Sequence, residues 1–277
     1  MEWWHAVILG VVEGITEFLP ISSTAHLAFF AQLLGYDSAD TGVVAFSAII
    51  QVGAISAAVI YFWQDIFATA KGFFAGIVDA SKRKTFEYAF GWAVLAGSLP
   101  IVVVGLFFQD FVETGLRNLW WMVIGLLGFT LVLWWADSNA TQHRKESSVT
   151  MKDSLLIGLV QAVSLIPGVS RSGASTAAGL LSGFDRVTTT RLAFFLGIPA
   201  LVGAAVLQAV THYDEIGAGV GWGATAIGTI VAFVVGYGCI DWLLKFIARH
   251  TFSIFIWYRL GLGAILAVLL VTGIISA

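Results

Sequence analysis

Glu13 and Glu17 stand four residues apart among Gly10, Val11, Val12, Ile15, Phe18 and Leu19. On a helix that spacing sets both carboxylates on one face, about one turn apart. Ionisable groups at membrane depth are costly, and they mark function by default. Two chemistries suit the pair: holding a divalent cation through oxygen ligands, or sharing a proton so that one carboxyl works as acid or base. The plainer alternative is an interfacial helix with its acidic face in water, and the apolar neighbours argue against it.

The residues that follow read Pro20-Ile21-Ser22-Ser23-Thr24-Ala25-His26. Ser22 or Ser23 can cap the next helix, leaving free backbone N–H groups and a positive dipole end at the turn. That is an anion site. His26 lies three residues past Ser23 on the same side of the first turn, so the spacing permits a Ser/His partnership; a capping motif with an interior histidine is the alternative. A second polar turn reads Pro167-Gly168-Val169-Ser170-Arg171-Ser172-Gly173-Ala174-Ser175-Thr176. Gly168 and Gly173 permit tight turns, Ser170 and Ser172 supply hydroxyls and a cap, and Thr176 adds another hydroxyl. Arg171 carries the most weight, because a permanent cation here needs an anion and a guanidinium suits bidentate phosphate recognition. A structural ion pair from Arg171 to Glu13 or Glu17 is compatible with that role once a phosphate displaces the carboxylate. Anion binding, charge neutralisation and a nucleophile with a proton acceptor make up the inventory of phosphoryl transfer. A diphosphate on a lipid tail solves access, since the tail stays among the membrane helices.

The elements that must position these residues are membrane helices. Of 277 residues 58% are hydrophobic and 11% charged, and the mean hydropathy is +0.90; soluble domains carry about 25% charged residues. The 11 Trp and 6 Tyr fit interfacial aromatic belts. A net charge of −3 gives no reason to expect nucleic acid. Six stretches approach the roughly 20 apolar residues a spanning helix needs: 43–63, 88–108, 119–136, 192–211, 222–244 and 252–275. Four shorter ones come in pairs, 4–19 with 24–34 and 154–166 with 173–181, each pair broken by a proline and a serine-rich turn. Such pairs read as re-entrant helix–turn–helix hairpins. The expected fold is therefore an all-α polytopic membrane protein in one membrane domain, 1–277, with six transmembrane helices and two re-entrant hairpins.

Basic residues alternate with the segments. Lys71, Lys82, Arg83, Lys84, Arg144, Lys145, Lys152, Arg186, Arg191, Lys245 and Arg249 fall on one side, whereas the other side has Arg117 with Asp37, Asp40, Asp110, Glu113, Asp214 and Glu215. The positive-inside rule puts the basic side in the cytoplasm and both termini outside. The first hairpin then opens outward and the second inward. Sequence echoes this: Gly10-Val-Val-Glu-Gly-Ile-Thr-Glu-Phe-Leu-Pro20-Ile-Ser-Ser23 parallels Gly158-Leu-Val-Gln-Ala-Val-Ser-Leu-Ile-Pro167-Gly-Val-Ser170 with one deletion. The reading is an inverted-topology repeat, 1–136 (hairpin 4–34) and 152–277 (hairpin 154–181), with the polar site where the tips meet.

Other polar residues read as structural. Gln51, Gln109 and Gln208 suit interhelical hydrogen bonds, Asp241 suits an i,i+4 pair with Lys245, and Tyr258-Arg259 is expected to snorkel to the interface. His143, His212 and His250 fall in loops. The single Cys239 excludes an intrachain disulfide and is expected to be a small buried hydrophobe. The N-terminal stretch, with Glu2, Glu13 and Glu17, does not read as a cleavable signal peptide.

The segments Glu13-xxx-Glu17-Phe-Leu-Pro-Ile-Ser-Ser-Thr-Ala-His26 and Pro167-Gly-Val-Ser-Arg-Ser-Gly-Ala-Ser-Thr176 resemble the two signatures of the bacitracin-resistance family of undecaprenyl-diphosphatases, and the resemblance extends over essentially the whole chain. It implies hydrolysis of undecaprenyl diphosphate to the monophosphate, recycling the carrier lipid of cell-wall synthesis at the outer face of the bacterial plasma membrane. It also implies a divalent cation, Mg2+ or Ca2+. The functional residues carried over are Glu13, Glu17, Ser23, His26, Ser170 and Arg171. Three positions depart from the family pattern: Ala25 replaces a usual glycine, Ser175 a usual threonine, and Ser47 a residue that is often acidic.

The combined expectation makes Ser23 the nucleophile, with His26, oriented by Glu17, managing its proton. Arg171, Ser170, Ser172, Ser22 and Thr24 hold the diphosphate, and Glu13 with Glu17 holds the cation. The expected partners are the bilayer and a polyprenyl diphosphate lipid, with a homodimer left open. The rival class is an inverted-repeat transporter or flippase of a lipid phosphate or small anion, which shares the architecture but does not require the Ser/His/Glu set.

Overall fold

The computed structural model describes residues 1–37, 40–110, 118–211 and 220–275. Their regular structure is helical, with one isolated bridge between Arg144 and Phe184. Eleven α-helices follow in order: α1 Trp3–Thr16, α2 Ser23–Leu33, α3 Thr41–Tyr61, α4 Trp63–Val78, α5 Phe86–Asp110, α6 Leu119–Ser138, α7 Met151–Ala162, α8 Arg171–Leu181, α9 Arg186–Thr211, α10 Trp222–Ile247 and α11 Ser253–Val271. Six of them (α3, α5, α6, α9, α10 and α11) are long and apolar enough to cross a bilayer, and they coincide with the six expected stretches. The chain is a multi-pass membrane protein. Large apolar side chains such as Leu106, Phe107, Ile230, Val234 and Trp257 are exposed on these helices, as a lipid-facing surface requires.

α4 was not anticipated. The stretch 64–87 reads as a charged connection, yet α4 lays Trp63, Phe67, Phe74 and Ile77 along an exposed apolar stripe and packs Gly72, Phe73 and Gly76 against Glu87, Gly91 and Tyr88 at the start of α5. Its sixteen residues are too few for a span.

The two short pairs form helical hairpins with matching local geometry. In each, a serine takes a left-handed backbone conformation before the second helix, Ser22 at φ 75° and Ser170 at φ 76°. Each accepts a hydrogen bond from the amide three residues on, Ala25 and Gly173. Such a φ is uncommon for a residue with a Cβ. Each second helix ends on a left-handed glycine, Gly35 or Gly183. Contacts match too: α1 meets α10 where Gly10 faces Gly228, and α7 meets α5 where Gly158 faces Gly97; a Cβ at either position would collide with the opposite backbone carbonyl. Small residues let membrane helices approach this closely.

At one end of the bundle, ion pairs gather the charged connections: Arg144–Asp153, Lys145–Asp185 and Arg186–Asp137 at 2.7 Å each, and Arg191 to both Asp65 and Glu146 at 3.0 Å. Asp241 pairs with Lys245 at 2.6 Å as expected, and His143 and His250 lie outside the helices. The Cys239 thiol is half-buried and donates to the Ile15 carbonyl. Glu113, Arg117, His212, Asp214 and Glu215 lie outside the described residues, as do the side chains of Gln109, Asp110 and Gln208.

Candidate active site

The two hairpin turns touch. Arg171, at the first position of α8, donates from Nη2 to Oε1 of Glu17 at 2.9 Å. Ser23, at the first position of α2, donates from Oγ to Oε2 of Glu17 at 2.9 Å. Gln51 of α3 donates to the same oxygen at 3.1 Å. Glu17 is therefore a buried carboxylate held by three donors from three elements, and two of those donors occupy the same helix-starting position in the two hairpins. A carboxylate that accepts from a serine hydroxyl is placed to take its proton as that oxygen attacks.

Arg171 is fixed on its other side as well. Its Nη1 donates to the Ala193 carbonyl at 2.9 Å, and the guanidinium lies where a Cβ at Gly197 would be. Its Nε has no hydrogen-bond partner among the described residues. Ser170 and Ser172 share a hydrogen bond at 3.1 Å, and Ser172 donates to the Leu19 carbonyl at 3.0 Å, a second link between the turns. Around these groups lies a cavity of about 160 Å³, lined by Glu17, Ser22, Ser23, Thr24, Gln51, Ser170 and Arg171, with Ile101, Leu165 and Leu201 as an apolar wall. The amino ends of α2 and α8 both border it, two sources of free N–H groups for an anion.

Glu13 sits one turn below Glu17, fully buried, and neither of its oxygens has a hydrogen-bond partner among the described residues. A buried carboxylate without donors costs several kcal/mol, so a proton or a cation must neutralise it. Oxygen donors of this kind fit a hard divalent ion. No group of three or more acidic, His or Cys side chains forms a ready-made cage among the described residues, so an ion here would take Glu13, Glu17 and oxygens of the bound anion.

His26 departs from expectation. No hydrogen bond joins it to Ser23. Its Nδ1 lies 2.7 Å from the Ser22 carbonyl and its Nε2 lies 2.7 Å from the Tyr258 hydroxyl. A carbonyl only accepts, so Nδ1 carries the proton. The ring stacks on Tyr258 and borders a different cavity of about 630 Å³, almost wholly apolar, between α1, α2, α10 and α11. Ser23 and His26 border different cavities, and the Ser23 hydroxyl donates to Glu17, not to the histidine.

The expectation for Tyr258-Arg259 is corrected at Arg259. Arg259 does not snorkel; it is fully buried. Gln51 makes the expected hydrogen bond between elements, to Glu17; its place in the site, like that of Gly197, escaped a reading by motif, since neither belongs to a polar turn. A charge inside the apolar run 252–275 was the available signal for Arg259, by the rule that singles out Arg171.

The sequence model of the family described as bacitracin resistance protein BacA matches residues 6–265. Among relatives, undecaprenyl-diphosphatase 3 of Frankia casuarinae is 54% identical over all of both chains. An undecaprenyl-diphosphatase of Cutibacterium acnes is 44% identical, again over all of both, and undecaprenyl-diphosphatase 1 of Streptomyces avermitilis is 45% identical over 98% of each.

Proposed function

The chain belongs to the bacitracin resistance protein BacA family, and on that premise we infer that it hydrolyses undecaprenyl diphosphate to undecaprenyl phosphate and inorganic phosphate. The observation that carries the site assignment is the junction at Glu17, whose two carboxylate oxygens accept hydrogen bonds from Ser23 and Arg171.

In the proposed reaction the terminal phosphate lies in the polar cavity between the amino ends of α2 and α8. Arg171, whose Nε has no partner among the described residues, turns from Glu17 toward the phosphate oxygens and neutralises their charge. Ser23 Oγ attacks the terminal phosphorus in line. The new Oγ–P bond forms as the bond to the bridging oxygen breaks, undecaprenyl phosphate leaves, and the hydroxyl proton passes to Glu17. Glu17 passes that proton to the departing phosphate or to solvent; water then attacks the phosphoserine, its proton going to Glu17 and on to the Ser23 oxygen as the Oγ–P bond breaks, so that phosphate is released and Ser23 restored. His26 takes no proton in this scheme; it holds the Ser22 carbonyl and with it the strained cap. Ile101, Leu165 and Leu201 give the first isoprene units an apolar way out of the cavity. Glu13 and Glu17 would hold a divalent cation, which when bound supplies charge neutralisation for the diphosphate.

The architecture proposed with this activity is an inverted repeat, 1–136 and 152–277, its two hairpins dipping in from opposite leaflets. The Ser22/Ser170 caps and the paired Gly10–Gly228 and Gly158–Gly97 contacts support it. The clustering of basic residues on alternate connections supports a bacterial plasma-membrane orientation with both termini outside and the catalytic cavity served from the outer leaflet.

Purified protein in detergent, given undecaprenyl diphosphate and Mg2+ or Ca2+, is expected to release inorganic phosphate. Ser23→Ala is expected to lower kcat by about 10⁴-fold or more while the protein remains monodisperse. A folded Ser23→Ala protein with wild-type turnover would rule out serine attack.

A further inference from the structure

Arg259 is the largest fully buried side chain among the described residues, and none of its hydrogen bonds there goes to a carboxylate. A buried guanidinium with no counter-ion is costly, so its hydrogen bonds define what it is for. Nη1 donates to the Pro20 carbonyl at 3.0 Å, in the first hairpin turn. Nη2 lies 3.2 Å from the carbonyls of both Gly168 and Val169, in the second turn, and 3.0 Å from that of Leu126 in α6. Nε donates to Thr130 Oγ1 at 2.6 Å. The adjacent Tyr258 meets His26, which in turn meets the Ser22 carbonyl. One turn of α11 thus grips both hairpin turns by their backbones.

We propose that Arg259 is a positioning residue for hydrolysis: its planar fork ties the Pro20 turn to the Gly168–Val169 turn and thereby sets the separation of Ser23 and Glu17 from Arg171. This rests on the catalytic reading above. Those carbonyls sit three or fewer residues before the reacting groups, Pro20 before Ser23 and Val169 before Arg171, so the clamp acts on the parts of the chain that aim them. Lysine cannot reproduce it. An ammonium is a compact point charge without the fork that lets one side chain reach both turns and Thr130 at once. Of the direct links between the turns, Arg171–Glu17 joins groups that substrate must disturb, and Ser172–Leu19 is a single hydrogen bond. Among the described residues Arg259 hydrogen-bonds only backbone carbonyls and Thr130, so its grip persists when a phosphate displaces Glu17 from Arg171.

The test compares wild type, Arg259→Lys, Thr130→Val and Arg171→Lys, and the double variant Arg259→Lys/Arg171→Lys, each confirmed folded by its melting transition in detergent and assayed on undecaprenyl diphosphate. Arg259→Lys is expected to lower kcat about 100-fold, the scale of a 1 Å misplacement, while KM stays within about threefold. Thr130→Val keeps the arginine but loses one anchor, and is expected to give a smaller loss, about 3- to 10-fold, in the same direction. The double variant is expected to lose much less than the product of the single losses, because both changes act on one arrangement. A purely structural role would leave kcat of the folded fraction unchanged, or lower it with multiplicative effects in the double variant; either result overturns the proposal. Wild-type protein that releases no phosphate would overturn the catalytic reading, and this proposal with it.

Discussion

At the residue scale the site depends on which groups Glu17 gathers. One carboxylate receives Arg171, Ser23 and Gln51, so it links the proposed anion-binding side to the proposed nucleophile. The two turns were legible as polar interruptions of apolar sequence, and the pairing of Arg171 with a carboxylate followed from the cost of burying a lone cation. Which carboxylate, and the divergence of Ser23 from His26, were not legible. They depend on the left-handed backbone of Ser22, which spacing along an ideal helix does not encode. Gly197 shows another hidden determinant, since its missing Cβ is the space that the Arg171 guanidinium fills. Gly197→Ala is expected to push the guanidinium aside and lower kcat/KM about 100-fold, measured by phosphate release. Activity within about threefold of wild type would show that Arg171 needs no such space.

At the element scale, helix existence was legible and helix function less so. The six spans announced themselves by length and hydropathy, whereas α4 was hidden because its charges masked an amphipathic period. The hairpins owe their position to caps and glycines. α7 begins with a capping box in which Thr150 and Asp153 satisfy each other's backbone amides, and Arg144 adds two hydrogen bonds to the Asp153 carboxylate at 2.8 and 2.7 Å. The Arg144 bonds, followed by those from Thr150, outweigh partial burial and hold the Asp153 carboxyl down at about 2. A depressed carboxyl stabilises the fold fully above its unfolded value, about 3.9, and that contribution fades as pH falls toward 2. Asp153→Asn is expected to cost about 1 kcal/mol or more at neutral pH, and the gap from wild type should narrow only below about pH 4. Thermal melts across pH 2–7 measure this; a gap that closes by pH 6 would contradict the assignment.

At the scale of the whole molecule, two polar turns meet inside an apolar helical bundle, and the groups that hold them together come from elements far apart in sequence. That is why the inventory could be read from sequence and its assembly could not: Gln51, Arg259 and Thr130 reach the turns or their clamp from α3, α11 and α6. The proposed orientation is testable on the intact protein. With the other cysteine removed as Cys239→Ala, a cysteine at Lys82 is expected to react with a membrane-impermeant maleimide only after permeabilisation, whereas one at Trp3 should react in intact cells. The reverse pattern would invert the topology and move the proposed outer-leaflet access to the other face.

In the proposed reaction Glu17, not His26, accepts the proton from Ser23. Single-turnover phosphate release from undecaprenyl diphosphate by folded Glu17→Gln and His26→Asn proteins tests it directly. The expected result is a loss of about 10³-fold or more for Glu17→Gln, with His26→Asn keeping the wild-type shape of the pH–rate profile and losing about tenfold or less. A Glu17→Gln protein within a few-fold of wild type, or a His26→Asn protein as inactive as Ser23→Ala, would contradict it.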